Sequence, residues 1–250
     1  MTTTLTTASK FLFEVLEEIV MMKTFAAVAC TAALCSSMAF AADTEKLNRR
    51  VEDAHAVLHE LMATPDKSVP LDIAAKATCV AVVPGFKKGA FVVGGQYGQG
   101  LATCRTAKGW SAPVFIQITG ASFGLQIGGQ STDLVLVGMG NRSMDAMLHD
   151  KVKLGGDLAA SAGPVGRNSQ AATTALASAS FLTYSRSKGL FAGVDLTGDV
   201  INQNNGDTED YYGKGISYQK ILSGSVPTPA GAQHFIATVN QMFKAGRARQ

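Results

Sequence analysis

Between Thr44 and Ala63 the apolar residues Leu47, Val51, Ala54, Leu58, Leu61 and Met62 recur at helical spacing. Arg49, Arg50, Glu52, Asp53 and Glu60 fall on the opposite face, Asp43 or Thr44 can cap the start, and Pro65 ends the run. This predicts one amphipathic helix, with a short second one near 70–76. From Cys79 the period shortens to that of strands. "CVAVVPG" closes on Pro-Gly, the turn "FKKG" leads to "AFVVGG", and "GLATCRT", "APVFIQITG", "SFGLQIGG" and "DLVLVGM" follow. A helix near 142–149, capped by Asn141 or Ser143, interrupts the strands. "KVKLGGDLAAS" reads as a further strand, and 179–197 as a hairpin. "NQNNGDTEDYYGKG" reads as a polar loop. Phe235, Ile236, Val239, Met242 and Phe243 mark a closing amphipathic helix over 230–245.

Short strands without crossover helices must pair mainly antiparallel. The expected fold is α+β: a single domain with a mostly antiparallel, glycine-rich, curved or barrel-like sheet and amphipathic helices at both ends. All 26 glycines lie beyond residue 41, a density that suits tight turns and close strand approach.

The segment before that domain has another character. Lys23 precedes the apolar run "TFAAVACTAALCSSMAFA", and Ala39-Phe40-Ala41 forms an A-x-A cleavage site. This is the pattern of a secretory signal peptide, cleaved before Ala42. Residues 1–20 read as an upstream extension, with Met21 or Met22 the expected start. Neither Cys30 nor Cys35 is preceded by the residues that lipidation favours. Export leaves Cys79 and Cys104 as the mature cysteines, a disulfide candidate or two buried thiols. A periplasmic or secreted location follows, with peripheral membrane association as an option.

Charge adds little by itself. The formal balance is +3; losing Lys10 and Lys23 against Glu14, Glu17 and Glu18 makes it +4. That is too mild to point to nucleic acid. "GGQYGQG" (94–100) is followed by a strand rather than a helix, so it reads as a glycine-relieved β-hairpin and not as a nucleotide loop. His55 and His59 stand four residues apart, but His149 and His234 look isolated, so no metal site is expected. No nucleophile elbow is recognised among the serines and no paired carboxylates stand out. No catalytic residue and no cofactor is therefore expected. What remains is a set of cations at strand ends: Lys87 and Lys88 in one turn, Arg105 at the end of a strand, and Arg186 with Lys188 at the hairpin tip. Five such charges near an acidic surface contribute about 5 kcal/mol gross. Arg186 and Lys188 are expected to be exposed and dispensable for stability.

The blocks "AKATCVAVVPGFKKGAFVVGGQYGQGLATCR", "APVFIQITGASFGLQIGGQSTDLVLVGM" and "SFLTYSRSKGLFAGVDLTG" with "YYGK" resemble the SYLF domain from about residue 45 to about 224. The resemblance implies lipid binding, notably of phosphoinositides in eukaryotic members, with an amphipathic N-terminal helix taking part. Fungal members also bind actin filaments. For an exported bacterial member the implied partner is anionic phospholipid or a membrane surface, with a protein partner as the alternative. Arg186, Lys188, Lys87, Lys88 and Arg105 are the candidate headgroup contacts.

Overall fold

The computed structural model describes residues 43–63, 69–164, 179–187, 190–194 and 196–245. The predicted leader, with Cys30 and Cys35, lies outside them. By contact the chain divides into Met1–Lys46 and Leu47–Gln250, and the second unit carries the sheet. Helix α1 covers 43–63 and α2 covers Leu71–Lys76. Both follow the predicted periodicity, and Leu47, Val51, Ala54, Leu58 and Leu61 are at most 2% exposed.

The strand runs are real, but their punctuation is not where the sequence put it. Ala77–Thr106 forms one long strand, β1, and Val114–Met139 another, β3. They pair antiparallel from Ala77 opposite Met139 to Ala102 opposite Val114. The predicted turn at Phe86–Gly89 is absent: these residues sit opposite Thr132–Gly129. Pro84-Gly85 makes an irregularity between Val83 and Phe86, with Gly85 at φ 58° and its N–H donated to Asp133 Oδ1 at 2.9 Å. A bulge kinks a strand without ending it. Likewise "GGQYGQG" is no hairpin turn but the interior of β1, opposite Ser122–Ile116.

The ribbon curls until the second half of β1 closes on the first. A Cβ at Gly98 would stand 2.6 Å from the Val83 side chain, and one at Gly100 would run into the Val82 carbonyl. The glycines relieve crowding as expected, but between two halves of one strand. Cys79 and Cys104 meet at this closure with Cα atoms 4.0 Å apart and form a disulfide across 25 residues. The sequence had set them on separate strands.

Shorter elements complete the sheet. The tiny strand β2 (Gly109–Trp110) pairs with the end of β1. Helix α3 (Gly140–Met147) leads to β4 (Lys151–Lys153) and β5 (Ala160–Ala162). The predicted strand over 151–161 is thus two, split by a turn at Gly155, whose φ is 81°. The side chain of Ser143 binds Gly140 O and Thr78 instead of capping α3. Strands β6 (Phe181–Ser187) and β7 (Leu190–Gly193) form the expected antiparallel hairpin. β6 also pairs with β3, and with β5 in parallel. β8 (Val200–Gln203) joins β3 to β4.

The predicted polar loop contains helix α4, Asn205–Tyr212. Asn204 caps it, accepting the Asp207 N–H. Helix α5 (Tyr218–Leu222) follows, then a 3₁₀ turn at Ala230–Ala232 and α6 (Gln233–Ala245). Alternation along the strands sorts the core into two clusters. Val80, Val82, Leu101, Val135 and Val137 pack with α1, α2 and α6. Ala81, Val83, Val114, Ile116 and Leu136 pack with α3 and α5. The result is a curled, mainly antiparallel α+β sheet with helices at both ends.

Candidate functional site

Register decides which of the candidate cations meet. Lys88 and Lys87 lie opposite Gln130 and Ser131, and two residues further along β3 Asp133 lies opposite Arg186. Lys87, Lys88 and Arg186 therefore all lie opposite one four-residue stretch of β3, Gln130–Asp133. Lys87 is exposed, and Lys88 is half-buried with Nζ 5.9 Å from the Phe86 ring centroid. Neither lysine forms an ion pair among the described residues. Lys188 lies outside those residues, between β6 and β7.

Arg186 is not the exposed tip cation that was expected. Its Nε donates to Asp133 Oδ2 at 2.7 Å and its Nη2 to the same oxygen, while Nη1 pairs with Glu60 of α1. The side chain is 21% exposed and that of Asp133 17%. Asp133 thus ties Arg186 on one side and the Gly85 bulge on the other. Asp195, a carboxylate close by in sequence, lies outside the described residues.

Arg105 stands elsewhere. It lies opposite Trp110, with its guanidinium 4.7 Å over the indole and Nε donating to Ala77 O at 3.0 Å. Trp110 in turn meets Phe243 of α6 at 5.3 Å. Arg105 therefore fastens the closure of the ribbon, at the Ala77 end rather than with the two lysines. Such stacking under partial burial is worth about 0.5–2 kcal/mol.

Long-range contacts hid other residues from the sequence. Arg50 is 9% exposed, pairs with Asp207 of α4, donates to Gln99 Oε1 at 2.9 Å and lies 5.7 Å from the Phe115 ring centroid. A short cycle joins α4, α5 and β3. Phe115 N–H donates to Thr208 Oγ1 at 3.3 Å, Thr208 donates to the Tyr218 hydroxyl at 3.1 Å, and that hydroxyl donates to Phe115 O. Burial raises Tyr218 to about 12, against the opposing hydrogen bonds, and pushes Tyr184 and Tyr212 up further. His234 is not isolated: its ring stands 6.2 Å from that of His55, which is 6.2 Å from His59. Among the described residues no group of three His, Cys, Asp or Glu is placed to hold a metal. Gly120–Gly124 does spell G-x-S-x-G, a string the sequence reading passed over. It lies inside β3 rather than at the strand-to-helix turn that a nucleophile elbow needs.

Fold and site together define an α+β domain built on a curled antiparallel ribbon, with two adjacent lysines on β1, a buried arginine network at Arg50 and a part-buried one at Arg186. Residues 119–242 match the family described as Ysc84, Las17-binding protein actin regulator. SH3 domain-containing YSC84-like protein 1 of Rattus norvegicus is 35% identical over 178 residues, covering 70% of this chain and 52% of that protein. The Homo sapiens protein of that name is 36% identical over 171 residues, 68% and 50%. LAS seventeen-binding protein 3 of Saccharomyces cerevisiae (strain ATCC 204508 / S288c) is 36% identical over 173 residues, 66% and 37%. The chain spans about half the length, or less, of these curated relatives. It belongs to the Ysc84 (SYLF) family.

Proposed function

We propose that this is an exported, non-catalytic lipid-binding protein whose Lys87–Lys88 pair contacts anionic phospholipid or phosphoinositide headgroups. The observation that carries the reading is the placement of these two lysines. They are adjacent, within three register positions of the Asp133–Arg186 pair, and without a carboxylate partner among the described residues. Lys188, two residues after Arg186 in sequence and outside the described residues, is included in the proposal. Arg186 serves it by holding β3, β6 and α1 together, since its donors are taken by Asp133 and Glu60. Arg105 contributes through the fold. With two or three lysines the electrostatic attraction is about 2–3 kcal/mol, which makes a weak, reversible peripheral contact. The apolar face of α1 is buried in the core, so it adds nothing while the helix stays docked.

Liposome co-sedimentation tests this. The protein should pellet with phosphatidylglycerol or phosphoinositide vesicles and not with phosphatidylcholine. Lys87→Ala with Lys88→Ala should weaken binding by about 2 kcal/mol, roughly thirtyfold. Unchanged binding in a folded double variant would move the lipid site elsewhere. The family description as an actin regulator favours a second reading, a scaffolding or protein-interaction surface. Co-sedimentation with protein filaments but not with vesicles would select it.

A further inference from the structure

A cleft of about 410 Å³ opens beside α3, the edge strand β4 and the turn that follows. Its floor is apolar: Ala146 and Val152 are at most 6% exposed, and Leu158 packs against the same core. Its rim carries charges of both signs. Arg142 and Lys151 supply two cations, Asp145 and Asp157 two carboxylates. None of the four forms an ion pair among the described residues, although they share one concavity.

Two further contacts fix this rim. Asp157 Oδ2 accepts the Lys153 N–H at 2.8 Å, which holds that carboxylate on the turn. His149 Nδ1 lies 2.8 Å from Asp145 O. A carbonyl only accepts, so Nδ1 carries the proton and Nε2 is the nitrogen left for a ligand. Small-molecule sites typically combine an apolar lining with a few placed polar groups. A purely anionic ligand would face the two carboxylates, and a purely cationic one the Arg and Lys. All four side chains are exposed, and a ligand bearing both signs is the one that sets an opposite charge beside each.

We propose that this cleft binds a small zwitterion. Its phosphate or carboxylate would lie at Arg142 and Lys151, its ammonium at Asp145 and Asp157, and its short carbon chain over Val152. Phosphoethanolamine has this chemistry, whether free or as the headgroup of a phospholipid. The cleft is lined by neither Lys87 nor Lys88, so vesicle sedimentation of the Lys87/Lys88 variant does not bear on it.

The test is a titration of the isotope-labelled protein followed by amide NMR. Phosphoethanolamine should shift Ala146, Val152 and Leu158 saturably, with an affinity about tenfold better than inorganic phosphate or ethylamine alone. Arg142→Ala and Lys151→Ala, both at exposed positions, should each weaken it about fivefold. Asp145→Asn should narrow the preference for phosphoethanolamine over phosphate. Monomeric dihexanoyl phosphatidylethanolamine separates the sources. Tighter binding than phosphoethanolamine assigns a lipid headgroup, and equal or weaker binding a free metabolite. Absence of shifts at about 10 mM ligand, phosphate binding as well as phosphoethanolamine, or full affinity in the Arg142/Lys151 double variant would each overturn the proposal.

Discussion

Replacing Arg186 with Ala removes two donors from Asp133 Oδ2 and the partner of Glu60, leaving Asp133 with the Gly85 N–H on its other oxygen. Glu60 is half exposed at 52%, so water replaces its partner and that loss is worth about 0.2–1 kcal/mol. Asp133 is 17% exposed, and its remaining charge loses hydrogen bonds of the charge-assisted kind, worth about 1.5–3 kcal/mol. Stranding a fully buried charge would cost about 3–5 kcal/mol, and the partial exposure pulls the figure below that. The expected loss is about 3 kcal/mol. Urea unfolding should show it as a lower midpoint with an unchanged slope, and heating as a fall in Tm of about 6–12 °C. A cycle with Asp133→Asn should give a coupling of about 1.5–3 kcal/mol, while Glu60→Gln alone should cost under about 1 kcal/mol. A loss below about 0.5 kcal/mol for Arg186→Ala, or a coupling near zero, would refute the reasoning and return Arg186 to the surface.

Two other outcomes follow from the core. Mass spectrometry without reductant should find Cys79 joined to Cys104, and replacing both with Ala should cost about 3–4 kcal/mol in the chain-entropy account; two freely alkylatable thiols in protein purified without reductant would contradict the link. Because burial raises Tyr184, Tyr212 and Tyr218 above the ordinary value near 10, the native state keeps protons that the unfolded chain releases. Stability is then full below about pH 10 and lost above it, by about 1.4 kcal/mol per pH unit per tyrosine. Urea midpoints measured from pH 10 to 12 should fall, and Tyr218→Phe should make the fall shallower; a flat profile would contradict the burial.

The helices at the two ends were legible because a 3.6-residue apolar period survives any tertiary context that covers one face. The strands were legible as apolar runs, but their joining was not. Pro84-Gly85 and "FKKG" have turn chemistry, yet pairing with Thr132–Gly129 absorbs them as a bulge in a continuous strand. Local propensity yields there to a ladder formed with residues forty or more positions away. Helix α4 was missed because Asn205–Asp210 are polar and mostly exposed. Its support comes from the Asn204 cap and from Arg50 reaching Asp207 across the fold. The cap is a three-residue spacing that was open to reading; the arginine is not. Arg186 was misjudged for the same reason as the turns: its role depends on Asp133 lying opposite it on β3, and register is invisible until the strands are paired.

Two separately formed sheets packed on each other can slide or part along the plane between them. Here the same two strands run through both halves of the sheet, and where β1 meets itself Gly98 and Gly100 bring no side chain of their own against Val83, Phe86 and the Val82 carbonyl. The boundary is crossed twice by unbroken backbone and once by sulfur. Among the described residues the two halves cannot part without breaking the β1–β3 ladder or the disulfide. Movements that expose the core are left to the parts attached from outside, the helices and the short edge strands.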